Sequence, residues 1–180
     1  MSTTPTDTPT TRAARFMAAL RKAQPDRGKM AALRRAASPS TAREAWPVIH
    51  SLGEDIRNHA ACTIGALFAG HPVEDRDAYS FGVTCRRVAT DNGRERDIPE
   101  SFERRFRRLL ACDSAEDVAG QLKAWIRFAA ARGVGVNYEQ LFWDLLTWET
   151  KGDRTKMTWA TGFWPARRDA EETATEAPAA

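Results

Sequence analysis

Apolar positions recur every three to four residues along most of this chain, and no stretch alternates with period two, a pattern that predicts an all-α protein. Residues 11–21 read as a first helix with Phe16, Met17 and Leu20 inward. From Asp26, the run Asp-Arg-Gly-Lys-Met-Ala-Ala-Leu-Arg-Arg starts a second, in which Met30, Leu33 and Ala37 form the buried stripe and Arg27, Arg34 and Arg35 the flank. Thr41-x-x-Glu44 has the form of a capping box, opening a third helix that Pro47 bends or shortens. Residues 58–69 are apolar nearly all round and therefore central, closed by Gly70-His71-Pro72, and residues 79–89 make a short fifth helix.

The polar, turn-prone run at 91–97 is the strongest boundary in the chain. Beyond it Pro99 begins a helix with Phe102, Phe106, Leu109 and Leu110 on one side and Arg104, Arg105, Arg107 and Arg108 around the other. Ser114-x-x-Asp117 caps the next, with Val118, Leu122, Trp125, Ile126 and Ala129 inward, Lys123 and Arg127 four apart outside, and a stop at Gly133. Asn137 caps a helix carrying Leu141, Phe142, Leu145 and Trp148, and a last one covers roughly 153–164. Each side of the boundary has its own apolar stripes, which predicts two small helical bundles in series, at 11–90 and 99–168, joined by a linker at 91–98. Residues 1–10 and 169–180, rich in Thr, Pro, Ala and acidic residues, read as disordered tails.

Charge sharpens this picture. The formal net charge is +3, but five acidic residues lie in the tails, and the span 8–168 carries 27 basic against 19 acidic residues, a net of +8. That balance fits a nucleic-acid partner. The basic faces are nearly pure Arg and Lys, without the Asn and Gln that a helix-turn-helix regulator aims at base edges. Three widely spaced cysteines suggest neither a disulfide framework nor a zinc site and fit a reducing cytoplasm. No apolar run has the length of a membrane span, and the Thr/Pro-rich start lacks the regions of a signal peptide. Five of the six tryptophans fall in the second half; all are expected in the core except Trp143, which projects opposite Leu141 and Leu145 toward a partner or the other bundle.

Catalytic patterns are sparse. Glu54-Asp55 and Glu74-Asp75-Arg76-Asp77 adjoin loops without a paired His and read as solvated caps and turns. Gly28-Lys29 lacks the upstream glycine and the following Ser/Thr of a P-loop, and there is no Gly-x-Ser-x-Gly elbow. One pattern remains. Arg43 and His50, with six residues between them, resemble the loose Arg-x(4-6)-His spacing of all-helical HEPN ribonucleases, in which a general base stands beside a phosphate-stabilising guanidinium. Pro47 interrupts the helix that would carry both.

Several segments belong together. They are Asp26-Arg27-Gly28-Lys29-Met30-Ala31-Ala32-Leu33-Arg34-Arg35, Leu67-Phe68-Ala69-Gly70-His71-Pro72 and Ser80-Phe81-Gly82, then, past the boundary, Arg104-Arg105-Phe106-Arg107-Arg108-Leu109-Leu110-Ala111 and Glu116-Asp117-Val118-Ala119-Gly120-Gln121-Leu122-Lys123. Val136-Asn137-Tyr138-Glu139-Gln140-Leu141 follows, continuing to Asp144-Leu145-Leu146 and Trp148, and finally Trp159 with Phe163-Trp164. In this order the chain resembles the CasB family, the small subunit of the type I-E CRISPR surveillance complex Cascade.

The resemblance implies an all-helical, two-bundle protein of antiviral defence, cytoplasmic, without catalytic activity, cofactor, metal or membrane association. It further implies a second copy of the chain in the complex, packing along the repeated backbone subunit and with the large subunit. The basic face of such a subunit steadies the duplex of guide RNA and target DNA and holds the displaced non-target strand of the R-loop. Carried over to matching positions, Arg34, Arg35, Arg104, Arg108, Lys123, Lys151 and Arg154 are the nucleic-acid contacts, with Arg27, Lys29 and Arg127 as flanking support. The tails and the stretch 94–97 match no part of the family pattern.

Overall fold

A computed structural model describes residues 9–38 and 40–165. Among these residues nine α-helices follow one another: α1 (Pro9–Ala23), α2 (Arg27–Arg35), α3 (Trp46–Ser51), α4 (His59–Gly70), α5 (Phe81–Ala89), α6 (Glu100–Leu110), α7 (Ala115–Arg132), α8 (Tyr138–Leu146) and α9 (Trp148–Phe163). A 3₁₀ turn, Ala42–Ala45, precedes α3. Among the described residues the single β-like contact is a parallel bridge between Glu74 and Val136.

Local chemistry explains most boundaries. Side-chain oxygens of Asp26, Asn58, Ser114 and Asn137 accept the free backbone N–H groups that open α2, α4, α7 and α8. Gly133, left-handed at φ 64°, ends α7. Two expectations fail. Thr41 is not a cap: its hydroxyl donates to the Arg35 carbonyl at 2.8 Å, and Glu44 pairs with Arg35, so the Thr41/Glu44 capping box does not form. A 3₁₀ turn takes its place, and Pro47 sits in the first turn of α3, where a missing N–H costs nothing. The last helix begins at Trp148, not near residue 153, because the break falls at Thr147 (φ −107°, ψ 8°), whose hydroxyl donates to the Trp143 carbonyl at 3.0 Å. Helix α1 reaches back to Pro9, two residues into the stretch expected as a tail; residues 1–8 and 166–180 lie outside the described residues.

The apolar stripes close as expected, with Phe16, Met17, Leu20, Leu33, Phe106, Leu122, Phe142 and Trp159 buried. Their closure is not confined to either half, however. One continuous core joins both halves: α1 packs on α8, α4 on α7 and α8, and α5 on α7 and α9. Phe16 meets Phe142 with ring centroids 4.9 Å apart, Phe68 meets Tyr138 at 5.5 Å and Phe81 meets Trp159 at 5.4 Å. The physical reason is the crossing of α5 over α9. A Cβ on Gly82 would stand 1.8 Å from the Trp159 carbonyl oxygen, and one on Gly162 2.6 Å from Ser80 Oγ, so two glycines let these backbones touch across the polar turn.

Most of the acidic groups read as solvated turns are instead engaged within the first half. Glu54 is buried at 4% exposure, held by Arg12 Nε at 2.9 Å and Asn58 Nδ2 at 2.8 Å. Glu74 takes a two-pronged contact from Arg21 at 2.7 and 2.8 Å, and Asp75 pairs with Arg87. Asp55 keeps the expected role, accepting the Arg57 N–H at 2.8 Å in a turn, and Asp77 is exposed as expected.

Candidate nucleic-acid interface

The ten basic residues singled out by the sequence divide into four surroundings. Three of them converge. Arg34 from α2 and Lys123 and Arg127 from α7 rim a groove of about 370 Å³, whose floor is Ala37, Ala66, Leu67, Ile126 and Ala130. Arg34 Nε donates to the Ala69 carbonyl at 2.8 Å, and the Lys123 ammonium donates to the Ala37 carbonyl. Both carbonyls stand at helix ends, of α4 and α2, where a partial negative charge attracts a cation. The two side chains are thereby held in place at the groove. Arg127 makes no ion pair among the described residues.

Helix α6 presents the second group. Arg104 and Arg108 line a concavity of about 240 Å³ with Ser101 and Arg105. Arg104 lies 3.9 Å from Glu100, one turn back and largely solvated, a contact of little energy. Arg105 was not among the expected contacts, yet it stands in the same concavity with its guanidinium 5.3 Å from the Phe128 ring centroid. Its position beside Arg104 on an amphipathic helix was the available signal. Arg107, by contrast, is engaged by Glu103 at 3.7 Å and stacks over Trp164 at 5.2 Å.

The third and fourth groups are less suited to a phosphate backbone. Lys151 and Arg154 line a concavity shared with Asp113, Glu149 and Asp153, whose carboxylates offset them. Lys151 Nζ sits 5.0 Å from the Trp143 ring centroid. Arg27 and Lys29 are exposed in the first turn of α2 and Arg35 is tied to Glu44; none of the three lines the groove.

The ribonuclease spacing does not make a site. Arg43 lies on the 3₁₀ turn and His50 on α3, and the depression at His50 is lined by Gly53, Glu54, Asp55, Ile56 and Arg57, without Arg43. His71 is buried, with Nε2 2.8 Å from the Val134 carbonyl, a structural bond. Burial pushes the thiols of Cys62, Cys85 and Cys112 above their ordinary range, which disfavours the nucleophilic thiolate. No cluster of three His, Cys, Asp or Glu side chains able to hold a metal occurs among the described residues, and no described helix is long and apolar enough to cross a membrane.

Fold and surface define a class: all-helical proteins that carry cation-lined concavities on a single core. Within that class the chain belongs to the family of CRISPR-associated protein Cse2, whose profile matches residues 29–164. This is the family the ordered segments resemble, CasB and Cse2 being names borne by its solved structures. The fold is similar to that of a Cse2-family CRISPR-associated protein of Thermus thermophilus, at 22% identity and a TM-score of 0.68, covering 86% of this chain and 98% of that one. It is similar to CasB of M. ruber at 18% identity and a TM-score of 0.70, covering 94% and 98%. A chain of a CRISPR RNA-guided surveillance complex aligns at 20% identity and a TM-score of 0.70, covering 95% of this chain and all of that one. No curated protein matches the sequence.

Proposed function

We propose that this chain is a non-catalytic small subunit of a type I-E CRISPR RNA-guided surveillance complex, holding nucleic-acid backbone and so stabilising the guide–target duplex and the displaced strand. The observation that carries the reading is the groove where Arg34, Lys123 and Arg127 meet over an apolar floor, its one lining histidine, His71, being buried with Nε2 on the Val134 carbonyl. Exchange of a DNA duplex for a guide–target duplex is nearly balanced, so a few backbone contacts decide whether the opened state persists. Sequence reading is left to the guide, which suits cationic faces poor in base-reading side chains. Arg104 and Arg108 on α6 extend the same role to a second face. The partners in this reading are the repeated backbone subunit, the large subunit and a second copy of the chain; the likeness to a chain of a surveillance complex supports membership of such an assembly.

The discriminating substitution is Arg127→Ala, because Arg127 bonds no backbone carbonyl among the described residues, so its loss should leave the fold untouched. The slope of log affinity against log salt should fall by about 0.9 on duplex, or about 0.7 on a single strand. Affinity and salt slope equal to wild type, measured by fluorescence anisotropy, would remove the groove from the interface.

A further inference from the structure

Trp143 borders a cavity of about 470 Å³ between α1, α8 and the loop before α5, a size within the roughly 300–1,000 Å³ of ligand-sized clefts. Its other walls are Ala13, Arg76, Asn137, Glu139 and Gln140. This is a different place from the cationic groove, and its chemistry differs as well: one half-buried aromatic ring, one guanidinium, one carboxylate and two carboxamides. The indole N–H groups of Trp148, Trp159 and Trp164 each donate to a protein oxygen, whereas those of Trp46, Trp125 and Trp143 have no acceptor among the described residues. Arg76 likewise makes no ion pair among the described residues. Asn137 is fixed, with its amide on the Arg76 and Ala78 carbonyls at 3.3 and 3.1 Å and its oxygen on the Gln140 N–H at 3.0 Å. The Gln140 amide nitrogen donates to Asp144 at 2.8 Å, which leaves its oxygen as an acceptor.

We propose that this cavity takes a single unpaired nucleotide of a nucleic-acid strand, its base against the Trp143 ring, its Watson–Crick edge toward Glu139 and Gln140, and its phosphate toward Arg76. A flat π-face favours any base by stacking. A carboxylate beside an amide oxygen supplies acceptors for exocyclic amino groups, and the Arg76 guanidinium supplies the phosphate contact. Lys151 Nζ lies over the same ring at 5.0 Å from its centroid but does not line the cavity, so the base takes the ring's other face. The inference rests on the nucleic-acid reading above but names a base contact, where that reading needs only backbone.

The full chain is titrated with a short oligodeoxycytidylate, whose bases carry the exocyclic amino group, and with an abasic oligomer of equal length and charge, and separately with CMP while the Trp143 indole N–H is followed by NMR. Wild type should bind the base-bearing oligomer about tenfold more tightly, as expected for one stacked base. Trp143→Ala should erase that preference and Trp143→Phe restore most of it, while the salt slope for the abasic oligomer stays the same in all three; a melting curve for each variant checks folding. Equal wild-type affinity for both oligomers, or a preference that survives Trp143→Ala, overturns the proposal. If neither oligomer binds, the backbone-binding reading has failed, and CMP decides the pocket alone: a shift of the Trp143 resonance supports it and no shift overturns it. Displacement of Trp143 only by a protein subunit of the complex assigns the cavity to a peptide and likewise overturns it.

Discussion

Gly82→Ala tests the claim that both halves share one core. The added methyl would lie 1.8 Å from the carbonyl oxygen of Trp159, 2.6 Å from its carbonyl carbon and 2.8 Å from its Cα. All three are backbone atoms, so no rotamer change relieves the overlap. Restoring an ordinary contact moves α5 and α9 apart by about 1.4 Å, and a gap of only ~0.5–1 Å forfeits a quarter to a half of each dispersion contact. The Phe81–Trp159 pair and the close approach of Gly162 to Ser80 and Val83 lie in that same interface. Overpacking of this kind costs about 3 kcal/mol or more. For a chain of this size that lowers the melting temperature by roughly 6–12 °C. The comparison is Gly120→Ala in α7, where nothing lies within 4 Å of the new Cβ. There only helix propensity acts, adding about 1 kcal/mol and roughly 2–4 °C. Thermal unfolding followed by far-UV circular dichroism measures both. A Gly82→Ala protein melting within about 2 °C of wild type, or a Gly120→Ala protein destabilised as much as Gly82→Ala, would refute the shared-core reasoning.

Asp144 gives a pH test. It is buried at 3% exposure, and burial pushes its carboxyl up to about 6, although Trp159 Nε1 and Gln140 Nε2 donate to it at 2.7 and 2.8 Å. With the folded value above the unfolded one, the folded state keeps the proton longer, so this group's contribution to stability is lost as pH rises from about 4 to about 6. The loss is at most about 3 kcal/mol. Denaturant titrations of wild type and Asp144→Asn across that range should show their difference shrinking in this sense, and a flat difference would contradict it. Replacing Arg34, Arg35, Lys123 and Arg127 together with Ala should lower the salt slope by roughly 2 to 3, from the three that rim the groove. The same variant should also cost about 2 kcal/mol of stability, because the Arg34 and Lys123 bonds to helix-end carbonyls go too. Chemical denaturation and binding across a salt series separate the two effects, and an unchanged slope would count against the groove. His50→Ala should leave any processing of nucleic acid as in wild type, since no guanidinium from Arg43 shares its depression; abolished cleavage in that variant would reinstate the ribonuclease reading.

The helices and their inward faces were legible from the sequence because both are set within a few residues. A cap needs an oxygen three positions from an N–H, as at Ser114 and Asn137, and a stripe needs only the period of the helix, as in α7. The failures among local signals have local competitors. The Thr41 hydroxyl found the Arg35 carbonyl instead of its own helix, and Thr147 broke a run that periodicity carried through Trp148. The family, too, was written in the order of short helical segments. The grouping of helices was not, because it depends on contacts between distant positions that leave no periodic trace. Nothing near Gly82 in the sequence announces that its missing Cβ admits the Trp159 carbonyl, and nothing near Glu54 or Glu74 announces Arg12 or Arg21. The same holds for the candidate site. The sequence alone marked Arg34, Lys123 and Arg127 as outward cations, but whether three such residues form one surface depends on how α2, α4 and α7 pack. Only the tertiary structure brought them around one groove, set Lys151 and Arg154 below them by placing carboxylates alongside, and drew Arg105 in.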